Sequence, residues 1–176
     1  MRRDWTVGID FGGTNIKAGL VDPSGRVVAT ELFSSGQATR PAVFVEQAAR
    51  AVDALARTVG IRPAQLRGVG IGAPGPVDVE RGLVYVLVNV PGWRNVPLAR
   101  TLERRLACRC FVDNDVNVMA LGEWRFGAGR GSRHLVCLTL GTGVGGGLIL
   151  NGQLFRGARG AAGELGHMVI DPRGSC

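Results

Sequence analysis

Ile9-Asp10-Phe11-Gly12-Gly13-Thr14-Asn15-Ile16-Lys17 reads as a strand that runs into a glycine turn and leaves it as a second strand. A turn without side chains lets backbone N–H groups converge on an anion, and Thr14 adds a hydroxyl donor. Outward from it, residues 5–10, 16–22 and 26–32 read as three consecutive strands, split by this turn and by Pro23-Ser24-Gly25, which predicts an antiparallel meander. A second run, Leu140-Gly141-Thr142-Gly143-Val144-Gly145-Gly146-Gly147, lies between strand-like residues 134–140 and 147–150. Two such turns could hold one polyphosphate between them.

Between the runs, helix and strand patterns alternate. Apolar residues at Ala42, Val45, Ala48, Ala49, Val52, Leu55 and Val59 recur at helical spacing, and Gly60 closes the pattern. A strand at 66–71, a rigid Gly-Ala-Pro-Gly-Pro loop at 72–76, a strand at 83–88 and a helix at 96–106 follow. The reading continues with a strand at 110–113, a helix at 116–126, and a glycine-rich linker or exposed turn at 127–131. A meander, then alternating elements, then a new glycine hairpin predicts a duplicated α/β domain. Residues 1–113 form the first lobe, with its phosphate hairpin; residues 114–176 form a connecting helix and the start of the second. An equal second copy would run about 120 residues past Arg133, so the second lobe reads as truncated.

At 176 residues and 45% hydrophobic composition the chain can bury a sizeable core. With no secretory leader pattern and no apolar run long enough to span a bilayer, the expectation is a cytoplasmic protein with no membrane partner. The net charge of +7 raises nucleic-acid binding as a class. The charge is scattered, however, all 21 basic residues but Lys17 are Arg, and no aromatic-interleaved basic stripe occurs. A solvated surface is the better reading. Cys108, Cys110, Cys137 and Cys176 make no secreted disulfide framework, and Cys108, Cys110 and Cys137 read as core residues.

Gly141-x-Gly143-x-x-Gly146 matches the dinucleotide fingerprint in letters but not in context, because Leu148-Ile149-Leu150 after it is a strand where a helix is required. No Walker loop occurs either. Asp10, at the end of the first strand, could hold Mg²⁺ beside phosphates, although a lone Gly-Gly-Thr is also an ordinary hairpin turn. Asp113-Asn114-Asp115-Val116-Asn117 lies where a strand gives way to a helix. One of its polar residues can cap the helix; the others fit a carboxylate taking a proton from a substrate hydroxyl that an Asn orients. Glu164 and His167 read alternatively as surface residues or as a polar pair, and His167 with Cys176 falls short of the four ligands of a structural zinc site.

Taken together, Asp10 to Lys17, Gly72-Ala73-Pro74-Gly75-Pro76-Val77-Asp78, Asn89-Val90-Pro91-Gly92-Trp93, Asp113 to Asn117, Leu140 to Gly143 and Gly163-Glu164-Leu165-Gly166-His167 resemble, in order, the motifs of the ROK-family sugar kinases, closest to the bacterial glucokinases. The resemblance covers about the first half of a typical member. It implies an actin/hexokinase-like (ribonuclease H-like) fold of duplicated α/β lobes, the second truncated, and ATP-dependent phosphorylation of a hexose 6-hydroxyl, glucose above all. Asp115 would be the general base. Asn114, Glu164, His167, Gly75 and Asn89 would contact the sugar. Asp10, Gly12, Gly13, Thr14, Lys17, Gly141, Thr142 and Gly143 would line the nucleotide phosphates, with Mg²⁺ at Asp10. His167 and Cys176 would belong to a structural Zn²⁺ site that continues beyond Cys176, and the complete protein would be a homo-oligomer. The family also contains sugar-responsive repressors; too few residues precede Asp10 for their helix-turn-helix. A non-catalytic remnant is the third reading. Strands 134–150 are expected to carry an uncovered apolar face and to make this chain poorly soluble.

Overall fold

The computed structural model describes residues 4–12, 15–34, 40–87, 90, 92–141, 143–171 and 173. Alternation along β1 (Thr6–Phe11) buries Val7, Ile9 and Phe11 and leaves Gly8 and Asp10 on the other face. β2 (Asn15–Val21) repeats the pattern with Ile16, Ala18 and Leu20 inward, and pairs antiparallel with β1 so that Asp10 faces Lys17. β3 (Val27–Ser34) completes the meander at the sheet edge. Asp22 shapes its second turn by accepting from the backbone N–H of Ser24 and Arg26 at 2.9 and 3.0 Å.

Pro41 opens α1 (Pro41–Thr58), where its preset φ fits the first helical turn. The helix buries Phe44, Val45, Ala48, Val52 and Leu55. The chain then returns as β4 (Gly68–Ala73), parallel to β1, and later as β8 (Cys110–Asn114), parallel to β4. The resulting five-stranded sheet runs β3-β2-β1-β4-β8. α2 (Leu98–Leu106) buries Leu98, Leu102 and Leu106 and connects to β8. Glu46 of α1 binds Arg105 of α2 at 3.3 Å as well as its own neighbour Arg50 at 3.1 Å. These two guanidinium groups hold the Glu46 carboxyl below its ordinary range.

Between β4 and α2 lies a small antiparallel sheet of β5 (Val77–Asp78), β6 (Leu83–Val86) and β7 (Arg94–Val96). Strands of two and three residues carry no readable period, and the sequence pattern missed both β5 and β7. Val96, expected to start a helix, instead pairs with Val84, and the helix begins after Pro97. Cys108 and Cys110 are core residues, and burial pushes the Cys110 thiol up to about 12.

The chain divides into two compact units, Met1–Asp115 and Val116–Cys176. The second begins one residue into α3 (Asp115–Phe126) and continues with β9 (Leu135–Leu140), β10 (Val144–Leu150) and β11 (Gln153–Leu154), an antiparallel sheet of order β11-β10-β9. The glycine-rich 127–131 segment is a hydrogen-bonded turn and not a loose linker. The backbone N–H groups of Gly127 and Gly129 both donate to the Glu123 carbonyl, at 3.1 and 3.0 Å, and the Trp124 indole donates to the Ser132 carbonyl at 2.8 Å. On β9, Cys137 is buried while Val136, Leu138 and Leu140 are 59%, 55% and 82% exposed, so the expected uncovered apolar face is present. No helix among the described residues is long and apolar enough to cross a membrane.

Candidate active site

Because β1, β4 and β8 are parallel, their carboxyl ends share one edge of the sheet, and the register aligns Asp10 with Gly72 and Gly72 with Asp113. Open α/β sheets hold ligands beyond that edge. Three sequence segments far apart in the chain, the glycine turn after Asp10, the loop after Gly72 and the polar run from Asp113, are thereby brought side by side. Gly12 comes close to Asn15: a Cβ on Gly12 would stand 2.6 Å from the Asn15 carbonyl oxygen, closer than side chains approach backbone. Asp10 is exposed, as is Lys17 opposite it on the same face.

At the end of β8 the backbone N–H of Asn114 donates to Asp113 Oδ1 at 2.8 Å, and the Asn114 side-chain amide donates to the Gly75 carbonyl at 3.3 Å. Gly75 sits at φ +82°, and a Cβ there would lie 2.8 Å from the Val86 carbonyl oxygen, so the 72–76 loop can close on β6 only with glycine. Asp115 follows as the first residue of α3, where the exposed helix N–H groups favour a carboxylate. This edge thus collects Asp10, Gly12, Gly75, Asn114 and Asp115 from the expected site residues of the first unit.

In the second unit, the Gly141 N–H donates to the Gly143 carbonyl at 3.0 Å, and among the described residues a Cβ on either glycine would meet nothing within 4 Å. This turn is open. The rest of the glycine run does something the sequence reading did not separate from it. Gly145 and Gly147 lie in β10 beneath α3, where a Cβ would strike Val116 at 2.7 Å and Ala120 at 2.6 Å. Gly146 points to the other face, and there a Cβ would come within 2.6 Å of the Gly163 carbonyl oxygen. The 163–167 segment lies on that face with backbone against backbone: a Cβ on Gly163 would collide with the Gly146 carbonyl oxygen, and one on Gly166 with that of Val144. Gly145, Gly146 and Gly147 are therefore packing positions, leaving Gly141 to Gly143 as the turn itself.

That anchorage presents Glu164 and His167. The His167 backbone N–H donates to the Glu164 carbonyl at 3.1 Å, and His167 Nε2 lies 3.7 Å from Glu164 Oε2, with both side chains exposed. The paired glycines flanking Glu164 and His167 were the available signal for this close packing. Gly13, Thr14, Asn89, Thr142 and Cys176 lie outside the described residues. Among the described residues no three His, Cys, Asp or Glu side chains gather as a metal site. His167, the one described member of the expected zinc set, does not make a tetrahedral site by itself.

The family model described as the ROK family matches residues 6–176. The chain belongs to the ROK family. A glucokinase of Halalkalibacterium halodurans is 39% identical to this ROK chain over 170 residues, which cover 97% of the chain and 51% of that protein. The xylose repressor of Bacillus subtilis is 30% identical over 175 residues, 98% of the chain and 45% of the repressor. Among solved structures, a ROK family glucokinase from Streptomyces griseus in complex with glucose and AMPPNP aligns with a TM-score of 0.83 and 40% identity, over 97% of this chain and 52% of that one. The fold is therefore that of the ROK proteins, actin/hexokinase-like α/β, and the chain spans about half the length of the curated relatives it matches.

Proposed function

We propose that this ROK chain carries the sugar-side and first phosphate-side residues of an ATP-dependent hexose kinase, with glucose as the preferred acceptor and glucose 6-phosphate as product. The observation that supports the reading is the alignment of Asp10, Gly72 and Asp113 along one strand-end edge, with Asn114 and Asp115 following β8 on the same edge as Asp10, across the intervening β4. An identity of 39% to a glucokinase over 97% of the chain supports it.

In this reading Asp115 accepts the proton of the sugar 6-hydroxyl as that oxygen attacks the γ-phosphorus of ATP; the bond to the β,γ-bridging oxygen breaks and ADP leaves. Asn114, held by the Gly75 carbonyl, orients the hydroxyl, and Glu164, His167, Gly75 and Asn89 bind the other sugar hydroxyls. Gly12, Gly13 and Thr14, with Thr142 and Gly143, offer N–H and hydroxyl donors to phosphate oxygens; Gly141, whose N–H is taken by the Gly143 carbonyl, lines the phosphates by shaping that turn, and Lys17 adds positive charge on the face of Asp10. The exposed Asp10 carboxylate suits a hard cation such as Mg²⁺, which when bound would neutralise phosphate charge. Zn²⁺ would be structural, with His167 and Cys176 among its ligands, and no step depends on it. The complete protein would be a homo-oligomer working in the cytoplasm.

The test is a coupled assay with hexose, ATP and Mg²⁺ on this chain and on a chain of the relatives' full length that contains it. Asp115→Ala should lower kcat about 10²- to 10⁴-fold and leave glucose binding in place. Turnover that survives the substitution would remove Asp115 from the role. A second reading, a sugar-binding regulator, draws on the 30% identity to a xylose repressor. It would be favoured if the full-length chain bound sugar and DNA without phosphorylating any hexose.

A further inference from the structure

Trp93 closes the 87–93 segment, where the Leu87 N–H donates to the Trp93 carbonyl at 3.2 Å and the Val90 N–H to the Leu87 carbonyl at 3.2 Å. Its indole is 1% exposed and stands edge-on to two rings at once, with centroids 5.1 Å from Phe11 and 5.4 Å from Phe44. Phe11 and Phe44 stack on each other at 4.5 Å. Phe11 is the last residue of β1, immediately before Gly12, and Phe44 lies in the first turn of α1. The three rings therefore join the glycine turn, the start of α1 and the 87–93 segment in one cluster. Among the described residues Trp93 Nε1 is buried without a hydrogen-bond partner. A buried N–H with no acceptor opposes folding, so the side chain contributes through its ring contacts alone.

The geometry points to Trp93 as a positioning residue that couples the 87–93 segment mechanically to the phosphate turn after β1. Aromatic edge contacts hold ring orientation as well as distance, so displacement of the segment that carries Trp93 is transmitted to Phe11 and to the turn that Phe11 starts. What the two segments bind rests on the kinase reading, which assigns sugar to the first and phosphate to the second. The coupling itself does not.

The experiment is amide hydrogen exchange on the 176-residue chain, comparing the unaltered protein with Trp93→Leu, Trp93→Phe, Phe11→Leu and the Phe11→Leu/Trp93→Leu double variant. Trp93→Leu should speed exchange about tenfold at Leu87 and Val90 and also at Asn15 and Ile16, with Val52 and Leu55 of α1 unchanged. Trp93→Phe, which keeps an aromatic edge, should restore most of the protection. At Asn15 and Ile16 the double variant should exchange no faster than Phe11→Leu alone, as expected for residues acting through one contact. Faster exchange confined to 87–93 would overturn the coupling, and so would a uniform increase that includes α1, because that is what a merely structural residue produces. Should Trp93→Leu fail to fold, Trp93→Phe and Phe11→Leu carry the same comparison. Glucose and Mg²⁺-AMPPNP added to the unaltered chain separate the two claims: absence of protection by either contradicts the kinase reading, while linked exchange at the two segments still supports the coupling.

Discussion

The two glycine hairpins resemble each other in composition and differ in what their glycines are for. In β1–β2 the strands are filled with Val7, Ile9, Phe11, Ile16 and Leu20, all buried, and the glycine that sterics demand is Gly12, inside the turn. In β9–β10 the turn glycines Gly141 and Gly143 have room for a side chain, and sterics demand glycine in the strand, where α3 presses on Gly145 and Gly147 and the 163–167 segment on Gly146. The first hairpin is held by its own side chains. The second is held by Val116 and Ala120 of α3 on one face and by the backbone of the 163–167 segment on the other, while its apolar side chains at Val136, Leu138 and Leu140 stay exposed. A glycine-rich run thus marks close approach of backbone, and only the surroundings say whether the thing approaching is a ligand or another segment of the chain.

The sharpest way to break this contrast is substitution of its glycines. Gly146→Ala should cost about 3 kcal/mol, since its Cβ would come within 2.6 Å of the Gly163 carbonyl oxygen. Gly141→Ala should stay within about 0.5 kcal/mol, having open space for the methyl group. Equal losses in thermal unfolding would show that turn and strand glycines are not doing different jobs. A smaller effect is expected on the exposed face: Leu138→Lys with Leu140→Lys should raise the soluble concentration of the chain while moving its stability by no more than about 0.5 kcal/mol. A large loss of stability would mean that the face is covered.

The subtlest comparison uses the cysteines. Burial raises the thiol pKa of Cys108, Cys110 and Cys137, and all three should resist alkylation at pH 7 to 8 in the folded chain. Cys137, in the sheet with the uncovered face, should label first as denaturant is added, ahead of Cys108 and Cys110. The pH dependence has a defined sign. Below pH 9 the Cys110 thiol keeps its proton whether folded or unfolded; as pH rises past 9.0 only the unfolded thiol ionises, so stability falls until the folded thiol titrates near 12. A chain whose midpoint did not drop between pH 8 and pH 10, relative to Cys110→Ala, would contradict the burial of that thiol.

Much of the fold was legible in the sequence because its long elements carry clear periods. The meander, α1 and the strand-to-helix change at Asp113 to Val116 follow from alternation, from helical spacing and from glycine or proline punctuation. β5, β7 and β11 were not legible, since two or three residues show no period and their pairing depends on neighbours remote in sequence. Within the candidate site, the residue types at Asp10, Asn114, Asp115, Glu164 and His167 were readable as chemistry. That Asn114 is held by the Gly75 carbonyl was not, because the two meet only when β4 and β8 lie side by side.

By itself the sequence determined the glycine turns, the alternation that gives each strand a buried face, and the ordered motifs that mark a ROK protein, since all of these are set by neighbours a few positions apart. Only the tertiary structure decided that Asp10, Gly72 and Asp113 share one edge, that Trp93 meets Phe11, and that Gly146 and Gly163 touch. The physical reason is that parallel pairing and close packing are properties of segments brought together by burial, and no local spacing encodes which distant backbone will arrive.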